Sequence, residues 1–330
     1  MPTLIVQIPC FNEEDTLPRT LAQIPRRIEG VDRVEILIVD DGCTDATVEV
    51  ARRLGVEHII HHTRNQGLAS AFRTGLDACL RLGADIIVNT DADNQYDGRD
   101  IPQLIAPILA GAADIVVGDR QTDRLEHFSF TKKKLQNFGS SVVRSFSGTT
   151  VPDAVSGFRA LSREAALQIN ILSSFSYTIE MLIQAGNKGL KVASVPVRVT
   201  GKTRQSRLYR SVRHFVQRSA ATLLRSYAMY RPLRVFSWIG VVLCAVGAAP
   251  IVRFLWFYVQ GAGGGHIQSL VLGGVLVVMG FMAFLVGLVA DLIAFNRQLL
   301  ETILGKVRRM EAEAQETRTS ERVKAAGRLG

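Results

Sequence analysis

The sequence predicts an α/β domain built on a mostly parallel, Rossmann-like sheet, followed by interface helices and a hairpin of two transmembrane helices. Three observations predict this fold class. Short β-branched runs alternate with helical patterns over residues 1–120, two long apolar runs follow residue 230, and the charge differs sharply between these regions. Strands that are apolar throughout and separated by helices imply a parallel sheet that is covered on both faces.

The predicted strands and helices alternate along the first third of the chain. The strands are expected at residues 3–8, 34–39, 56–60, 85–89 and 114–118. The helices are expected at residues 14–24, 45–54, 68–82 and 101–109. Ligands of such sheets bind at the carboxyl ends of the strands, so we expect the functional residues directly after each strand.

Acidic turns follow three of the predicted strands. In the second turn, Asp40 and Asp41 can accept hydrogen bonds from a base or a ribose. Asp45 directly precedes a helical pattern, and we expect it to be a helix N-cap. The three turns are PCFNEE at 9–14, DDGCTD at 40–45 and TDADNQ at 90–95.

The third turn carries the most specific chemistry, because Asp91 and Asp93 flank the small residue Ala92. Alternate carboxylates can reach one divalent ion and the phosphate oxygens that this ion bridges. A hard cation such as Mg²⁺ or Mn²⁺ prefers oxygen ligands and keeps positions open for substrate phosphates. Such a pair is common in surface turns, but its place after a buried strand, beside two other acidic turns, favours a metal site.

Two apolar runs, 235–259 and 267–295, each exceed the ~20 residues that a helix needs to cross a bilayer. The alternative is a core helix hairpin of a soluble protein, which runs this long and this poor in charge disfavour. Arg253 and Asp291 lie near the ends of the two runs, where Arg can extend outward and Asp can reach the interface. We therefore expect neither to be a buried functional charge.

The charge distribution predicts the orientation of these spans. Residues 1–180 carry eighteen basic and twenty-four acidic residues, residues 181–290 thirteen basic and no acidic residues, and residues 291–330 eight basic and six acidic residues. The segment between the two spans, 260–266, has no Lys or Arg. The positive-inside rule then places both termini in the cytoplasm. A strand-like run at 4–8, rather than a secretory leader, predicts that the first domain also stays there.

The four cysteines are widely spaced, without a CxxC pair, and we expect free packing thiols rather than disulfides or metal ligands. Nothing in the sequence indicates a nucleic-acid partner. The charged segment 305–330 is helical in character, which favours a cytosolic extension or a frayed helix.

Seven segments within residues 2 to about 210 together resemble the family-2 glycosyltransferases with a GT-A fold, and they occur in the same order as in that family. The resemblance is narrower to the polyprenyl-phosphate sugar synthases typified by dolichol-phosphate mannose synthase. The segments are PCFNEE at 9–14, DDGCTD at 40–45, RNQGLASAFRTGL at 64–76, DADNQ at 91–95, GDR at 118–120, DAVSGFRA at 153–160 and SYTIEM at 176–181.

The resemblance implies a binding site for a UDP- or GDP-linked sugar. Asp91, Ala92 and Asp93 would hold the diphosphate and a Mg²⁺ or Mn²⁺ ion, with Gln95 completing the metal shell. Arg120 and Arg204 would contact the donor phosphates or the sugar, since a guanidinium presents a planar fork of donors. The residues implied to hold the nucleoside are Pro9, Phe11, Glu13, Val39 and Asp41.

The acceptor site is implied in the same way. Lys133 and Lys134 stand where family members place a basic residue against a lipid phosphate, although a lysine run is also typical of a solvated face. Glu180 matches the family's acid and either orients the acceptor or sugar, or pairs with a neighbouring arginine such as Arg159. The sequence departs from the pattern at Asn137, where serine is expected, and at 200–207, where many relatives carry a shorter Gly-x-Ser-Lys motif.

The expected activity is transfer of a hexosyl residue from a nucleotide-diphospho-sugar to undecaprenyl or dolichyl phosphate, with Asp93, Arg120, Glu180 and Arg204 as the catalytic set. Two alternatives remain: transfer directly to a glycolipid or polysaccharide, and a catalytically silent partner subunit. The two-span hairpin suggests a homo-oligomer by geometry only. The expected domains are a cytosolic GT-A domain at 1–205, a juxtamembrane helix at 206–232, two transmembrane helices at 233–297 and a charged cytosolic tail at 298–330.

Overall fold

The computed structural model describes residues 2–121, 149–171, 177–200, 231–261 and 267–326, without the side chains of 312–313 and 315–326. Lys133, Lys134, Asn137 and Arg204 lie outside the described residues, as do residues 206–230 of the predicted juxtamembrane helix. The chain divides into two compact units, one of Met1–Thr222 with Leu304–Gly330 and the other of Leu223–Ile303. The domain boundaries stated above remain predictions.

The first unit is built on a seven-stranded sheet in the order β3-β2-β1-β4-β6-β5-β7. Strand β6 runs antiparallel between β4 and β5, and the other neighbours are parallel. The predicted fold class, α/β with a mostly parallel sheet, is therefore confirmed. The strands are β1 Thr3–Cys10, β2 Arg33–Asp40, β3 His58–His61, β4 Ile86–Asn89, β5 Ile115–Asp119, β6 Arg159–Ser162 and β7 Val192–Pro196.

The predicted helices of the first unit are present, with ends that differ by a few residues. Helix α1 begins at Leu17 rather than at residue 14, because Asn12 adopts a positive φ of 56° and Pro18 favours the first helical turn. The helices are α1 Leu17–Gln23, α2 Thr47–Arg53, α3 Leu68–Arg81, α4 Ile101–Leu109, α5 Arg163–Gln168, α6 Tyr177–Asn187, α7 Pro232–Val259 and α8 Ile267–Ala326.

The N-cap expected at Asp45 is one residue further along, at Ala46. The Asp45 carboxylate still accepts from the first helical amide, that of Thr47, at 3.0 Å. It also accepts from the amide of Glu14 at 3.2 Å. Asp45 therefore joins the turn after β2 to the turn after β1, which a simple cap would not do.

Alternation along β1 gives the sheet one apolar and one partly polar face. Leu4, Val6 and Ile8 enter the hydrophobic core beneath α1 and α4. Gln7, which points to the opposite face, is fully buried and donates to the side chain of Asn89 on β4 at 3.0 Å. This buried polar contact lies at the last residue of β4, two residues before Asp91 of the acidic turn.

The second unit consists of α7 and the part of α8 up to Ile303. Glycines bring these helices close: a Cβ at Gly280 would lie 2.8 Å from the carbonyl oxygen of Gly240 and 2.5 Å from Cys244 Sγ. Small residues at such an interface are typical of membrane helix pairs. The two predicted apolar helices are thus confirmed, and by length and composition both can cross a membrane.

The outer surfaces of these helices are apolar and exposed, with Trp238 at 72% and Met279 at 51% exposure. Arg253 and Asp291 are also exposed, and the Arg253 guanidinium lies 5.9 Å from the ring centre of Phe257. Neither charge is enclosed by the described residues, and the expected place of both at the membrane interface remains a prediction.

The last part of α8 belongs to the first unit and makes charged contacts with it. Arg308 lies 3.0 Å from a carboxylate oxygen of Asp77 on α3 and donates to the carbonyl of Ile169 at 3.1 Å. Arg309 pairs with Glu164 on α5. The charged segment is helical as far as Ala326, and Arg308 and Arg309 contact the α/β domain.

Candidate active site

Four strands end in sharp turns at one edge of the sheet. Among the described residues, the non-glycine residues with positive φ are Asn12 (56°), Asn94 (56°) and Gln121 (47°), and they follow β1, β4 and β5. Gly42, with a φ of 76°, follows β2. Residues held in sparsely populated backbone regions cluster at functional sites. At the carboxyl edge of the sheet, where the functional residues were expected, each of these turns therefore contains a residue with positive φ.

The turn after β2 is held by buried carboxylates. Asp40 accepts from the amide of Cys43 at 2.7 Å and lies 2.9 Å from Nδ1 of His61. Burial by itself would raise the pKa of Asp40, but the hydrogen bonds from Cys43 and His61 lower it below its ordinary value. Asp40 is thus ionised, and its carboxylate stabilises the turn through these contacts.

Asp41 is 3% exposed and holds the loop that follows β3. Its Oδ1 accepts from the amide of Gln66 at 2.9 Å, and its Oδ2 accepts from the amide of Gly67 at 2.9 Å. Nδ1 of His62 lies 2.8 Å from Oδ1. Asp41 is the residue that the resemblance implies as a contact to the nucleoside. Three nitrogen contacts therefore fix the orientation of its carboxylate.

Gly42 lets this loop approach the turn. A Cβ at Gly42 would lie 2.7 Å from both the carbonyl carbon of Arg64 and the amide nitrogen of Asn65, and the positive φ also favours glycine. The motifs DDGCTD and RNQGLASAFRTGL, which are separate in the sequence, are thus packed backbone to backbone.

The other residues implied to hold the nucleoside differ in accessibility. Pro9 and Val39 are register partners in β1 and β2 and both are buried. Phe11 is 39% exposed, and Glu13 accepts from the hydroxyl of Thr16 at 2.7 Å. The structure brings all four to the same edge as Asp41, and their roles remain predictions.

The DxD turn after β4 combines burial with negative charge. Burial, with the neighbouring Asp93 carboxylate, raises the pKa of Asp91 above its ordinary value, and Arg120 opposes this rise. Asp93 Oδ1 accepts from the amide of Gln95 at 3.0 Å. Within the described part of the chain, the buried side-chain oxygen of Asn94 has no hydrogen-bond partner.

Gly157 lies against the Asp91 carboxylate. A Cβ there would stand 2.9 Å and 3.2 Å from the two carboxylate oxygens and 3.1 Å from the hydroxyl of Tyr177. The Gly157 amide donates to the hydroxyl of Tyr96 at 3.0 Å, and its carbonyl accepts from Asn89 Nδ2 at 2.9 Å. Buried side chains therefore fix the backbone that faces Asp91.

Arg120, after β5, pairs with Asp153 through two contacts, Nε to Oδ2 at 2.6 Å and Nη2 to Oδ1 at 3.0 Å. Burial would raise the pKa of Asp153, but Arg120 lowers it. Burial would lower the pKa of Arg120, but Tyr96 and Asp153 raise it. Both groups are charged at neutral pH, and the positive charge stays near Asp91.

Glu180 lies buried on α6, where Gln184 Nε2 is 3.3 Å from its Oε1. Arg159, its proposed neighbour, is fully buried and donates to the carbonyls of Ala154 and Thr178 at 2.7 Å and of Ser156 at 2.8 Å. Burial lowers the pKa of Arg159 to about 10. Arg159 thus joins the 153–157 loop to α6, and the role of Glu180 remains a prediction.

Among the described residues, no group of three or more His, Cys, Asp or Glu side chains is arranged to hold a metal ion. A Mg²⁺ or Mn²⁺ site here would have to combine the two acids with Gln95 and with oxygens from substrate phosphates or water, as Mg²⁺ sites commonly do. The half-buried, mutually repelling pair of Asp91 and Asp93 fits this requirement, because a cation would offset their charge.

Several residues at this edge were not identified individually from the sequence. Asp153, Gly157 and Tyr177 lie within the motifs that carry the resemblance, so the motifs located them without giving their roles. His62 lies outside those motifs. The only sequence signal for it is a pair of histidines, His61 and His62, at the end of a predicted strand.

A mostly parallel sheet with acidic turns at its carboxyl edge defines the class of α/β domains that bind nucleotides at the strand ends. Residues 5–169 match the model of glycosyl transferase family 2, and the chain belongs to this family of glycosyltransferases. The resemblance seen in the sequence is therefore confirmed at the level of the family.

Two relatives and one solved structure show the extent of the similarity. A polyprenol monophosphomannose synthase of Mycolicibacterium smegmatis is 28% identical over 60% of this chain and 77% of its own length. A UDP-N-acetylglucosamine–dolichyl-phosphate N-acetylglucosaminyltransferase of Methanococcus voltae is 31% identical over 58% of this chain and 83% of its own.

The solved structure is glucosyl-3-phosphoglycerate synthase of Mycobacterium tuberculosis, in complex with Mn²⁺, UDP and glucosyl-3-phosphoglycerate. It superposes with a TM-score of 0.55 at 21% identity and covers 69% of this chain and 80% of its own. This likeness supports the GT-A fold of the α/β domain.

Proposed function

We propose that this protein transfers a hexosyl residue from a nucleotide-diphospho-sugar to a polyprenyl phosphate, such as undecaprenyl or dolichyl phosphate. The observation that carries the proposal is the combination, on one chain, of a family-2 domain with a half-buried DxD turn and two helices of membrane length. A lipid acceptor is held at a membrane, where such helices would keep the enzyme. The names of both relatives described above point to the same class of acceptor.

The donor site that we propose lies at the carboxyl edge of the sheet. Asp91, Asp93 and Gln95 would hold Mg²⁺ or Mn²⁺, and the backbone at Ala92 would lie against the diphosphate. Both UDP and GDP are compatible with the residues present; Mn²⁺ with UDP is the combination in the structural neighbour. The nucleoside would be held by Pro9, Phe11, Glu13, Val39 and Asp41.

In the proposed reaction, an oxygen of the acceptor phosphate attacks the anomeric carbon of the donor sugar. A new carbon–oxygen bond forms, and the bond to the nucleoside diphosphate breaks, with its electron pair leaving on the diphosphate oxygen. The acceptor phosphate is already anionic, so no strong general base is needed. A divalent ion, when bound, stabilises the charge of the leaving diphosphate.

The chain's own residues would contribute position and charge. The pair with Asp153 fixes the Arg120 guanidinium, so its positive charge is in place before the donor binds, which is the condition for electrostatic stabilisation without reorganisation. Glu180, which is buried on α6, would orient the sugar or the acceptor. Lys133 and Lys134 remain the proposed contacts to the lipid phosphate, and Arg204 the proposed contact to the donor.

We propose further that α7 and α8 make the protein a multi-pass membrane protein with its catalytic domain and both termini in the cytosol. The exposed apolar surfaces of both helices support membrane contact, and the basic residues flanking the spans support this orientation. A homo-oligomer remains a hypothesis from the geometry of the hairpin.

The test is transfer of radiolabelled glucose, mannose or N-acetylglucosamine from UDP- or GDP-linked donors to undecaprenyl phosphate, with detergent-purified full-length protein in Mn²⁺ or EDTA. We expect a metal-dependent, butanol-extractable and mild-acid-labile product. Asp93→Asn should lower its rate by about 100-fold or more, the scale of losing one electrostatic contact in a transition state. Glu49→Gln, at an exposed carboxylate on α2, is the matched control and should retain full activity.

The outcome that would contradict the proposal is metal-dependent hydrolysis of a donor without any lipid product. That result would favour direct transfer to a glycolipid or polysaccharide. Absence of both transfer and hydrolysis with every donor would instead favour a catalytically silent partner subunit.

A further inference from the structure

Two adjacent histidines at the end of β3 differ in environment. The side chain of His61 is 47% exposed, whereas that of His62 is 7% exposed. Nδ1 of His62 lies 2.8 Å from Oδ1 of Asp41, and its Nε2 lies 2.9 Å from the hydroxyl of Thr74 on α3. A buried imidazole therefore joins the strand-end carboxylate to a helix of the scaffold.

Both nitrogens of the His62 imidazole have a partner. Because a carboxylate can only accept, Nδ1–H donates to Asp41, and Nε2 contacts the hydroxyl of Thr74. The Asp41 carboxylate thus selects Nδ1 as the nitrogen that carries the proton, and the Thr74 hydroxyl, which can donate or accept, holds Nε2 in place. The ring is held at both ends, so it cannot rotate away from Asp41.

Asp41 has little freedom left. Its two oxygens offer about four lone-pair positions. The amides of Gln66 and Gly67 and the imidazole of His62 occupy three of these positions. One position remains for a donor on a ligand, and its direction is determined by the other three contacts.

We propose that His62, supported by Thr74, is a positioning residue that directs Asp41 toward an N–H or O–H donor on the nucleoside of the sugar nucleotide. The inference rests on the proposed function and deepens it, because it locates the determinant of nucleoside affinity outside the residues that touch the nucleoside. Diphosphate affinity depends on a different turn, the DxD turn after β4, and is independent of His62.

Calorimetric titration of the full-length protein with UDP, with GDP and with inorganic diphosphate, each with Mn²⁺, separates these two contributions. His62→Phe keeps the ring but removes both nitrogen contacts. It should weaken binding of the preferred nucleoside diphosphate by about tenfold, the scale of one lost hydrogen bond to a charged group. Binding of inorganic diphosphate should change by less than about twofold.

Two further variants distinguish positioning from folding. His62→Asn retains a donor near the place of Nδ1 and should restore most of the affinity, while Thr74→Val should lower it about threefold. His58→Phe is the matched control, because His58, in the strand that His62 follows, also contacts a carboxylate, with its Nε2 2.9 Å from Oε2 of Glu35. It should leave both affinities unchanged. In turnover, His62→Phe should raise the donor KM more than it lowers kcat.

The outcomes are distinguishable. If the wild-type protein binds neither UDP nor GDP, the proposed function fails and this inference fails with it. If the wild type binds and a folded His62→Phe protein binds UDP and GDP equally well, or loses diphosphate affinity to the same extent, only the positioning role of His62 is overturned. Should His62→Phe fail to fold in a thermal unfolding assay, Thr74→Val carries the same test, with an unchanged nucleoside diphosphate affinity as the contrary result.

Discussion

Arg120 and Asp153 are joined by two contacts of 2.6 and 3.0 Å, although they lie thirty-three residues apart in the chain. Two of the three guanidinium nitrogens are thereby committed to a protein carboxylate. Arg120 was implied from the sequence as a ligand of the donor. The structure shows that it is first a partner of Asp153, which holds its positive charge close to Asp91.

The first prediction concerns this pair. Asp153→Asn removes the negative charge and leaves Arg120 buried without its partner, so it should lower the free energy of unfolding by about 3 kcal/mol. Urea denaturation at pH 7 measures this value. The double variant Arg120→Met with Asp153→Leu should be more stable than Asp153→Asn alone. A double variant that is no more stable than Asp153→Asn would contradict the pairing.

Gly157 provides a second prediction. In Gly157→Ala, the new methyl group would meet Asp91 Oδ2 at 2.9 Å and the Tyr177 hydroxyl at 3.1 Å. We expect Asp91 to be displaced and Mn²⁺-dependent binding of nucleoside diphosphate to fall by about tenfold or more, as for small misplacements in active sites. Calorimetry measures this affinity. Gly274→Ala, where no atom lies within 4 Å of the new Cβ, is the control, and equal losses in both variants would refute the argument.

A third prediction follows from the cost of the charge on Asp91. Burial and Asp93 raise its pKa in the folded state, so its ionised form destabilises the metal-free protein as the pH rises through that pKa. Asp91→Asn should therefore stabilise the protein in EDTA at pH 8 by about 1 kcal/mol. Thermal unfolding should also show that Mn²⁺ with UDP stabilises the wild type and not the variant. A less stable variant in EDTA would be the contrary result.

Acid stability gives a fourth prediction, with the opposite sign. Asp40 and Asp153 have lowered pKa values because hydrogen bonds and an ion pair outweigh burial, and the Arg99 side chain lowers that of Asp97. Groups of this kind stabilise the fold above their unfolded pKa of about 4 and lose that stabilisation as the pH falls through the folded value. The urea midpoint should fall steeply below pH ~4, and Asp153→Asn should flatten that slope.

The glycine contacts of α7 and α8 give the fifth prediction. A side chain at Gly280 would meet Cys244 Sγ at 2.5 Å and the Gly240 carbonyl at 2.8 Å. Gly280→Leu should separate the helices and destabilise the pair by about 2 kcal/mol, a typical cost of overpacking. Thermal unfolding in detergent measures the effect. Gly274→Leu, at an open position of the same helix, should be nearly neutral, and a similar loss there would point to a general effect of the larger residue.

The local patterns in the sequence predicted the individual strands and helices more reliably than they predicted which strands are adjacent in the sheet. Five strands and four helices of the α/β domain were identified, because apolar runs and helical periodicity depend only on nearby residues. Strands β6 and β7 were not predicted, and β6 is antiparallel within an otherwise parallel sheet. Its four residues, RALS, lack the apolar run that indicated the equally short strands β3 and β4, and no local pattern gives the direction of a strand.

The sequence by itself determined the class of fold, the membership in a glycosyltransferase family, the two apolar helices and the acidic turns at the strand ends. These features are written in contiguous motifs and in hydrophobic periodicity. Only the tertiary structure decided that Arg120 pairs with Asp153, that Gly157 lies against Asp91 and that His62 joins Asp41 to Thr74. Each of these contacts joins residues brought together by the order of the strands and the path of the loops. Hydrogen-bond directions and close packing at that edge depend on distances that no local pattern encodes.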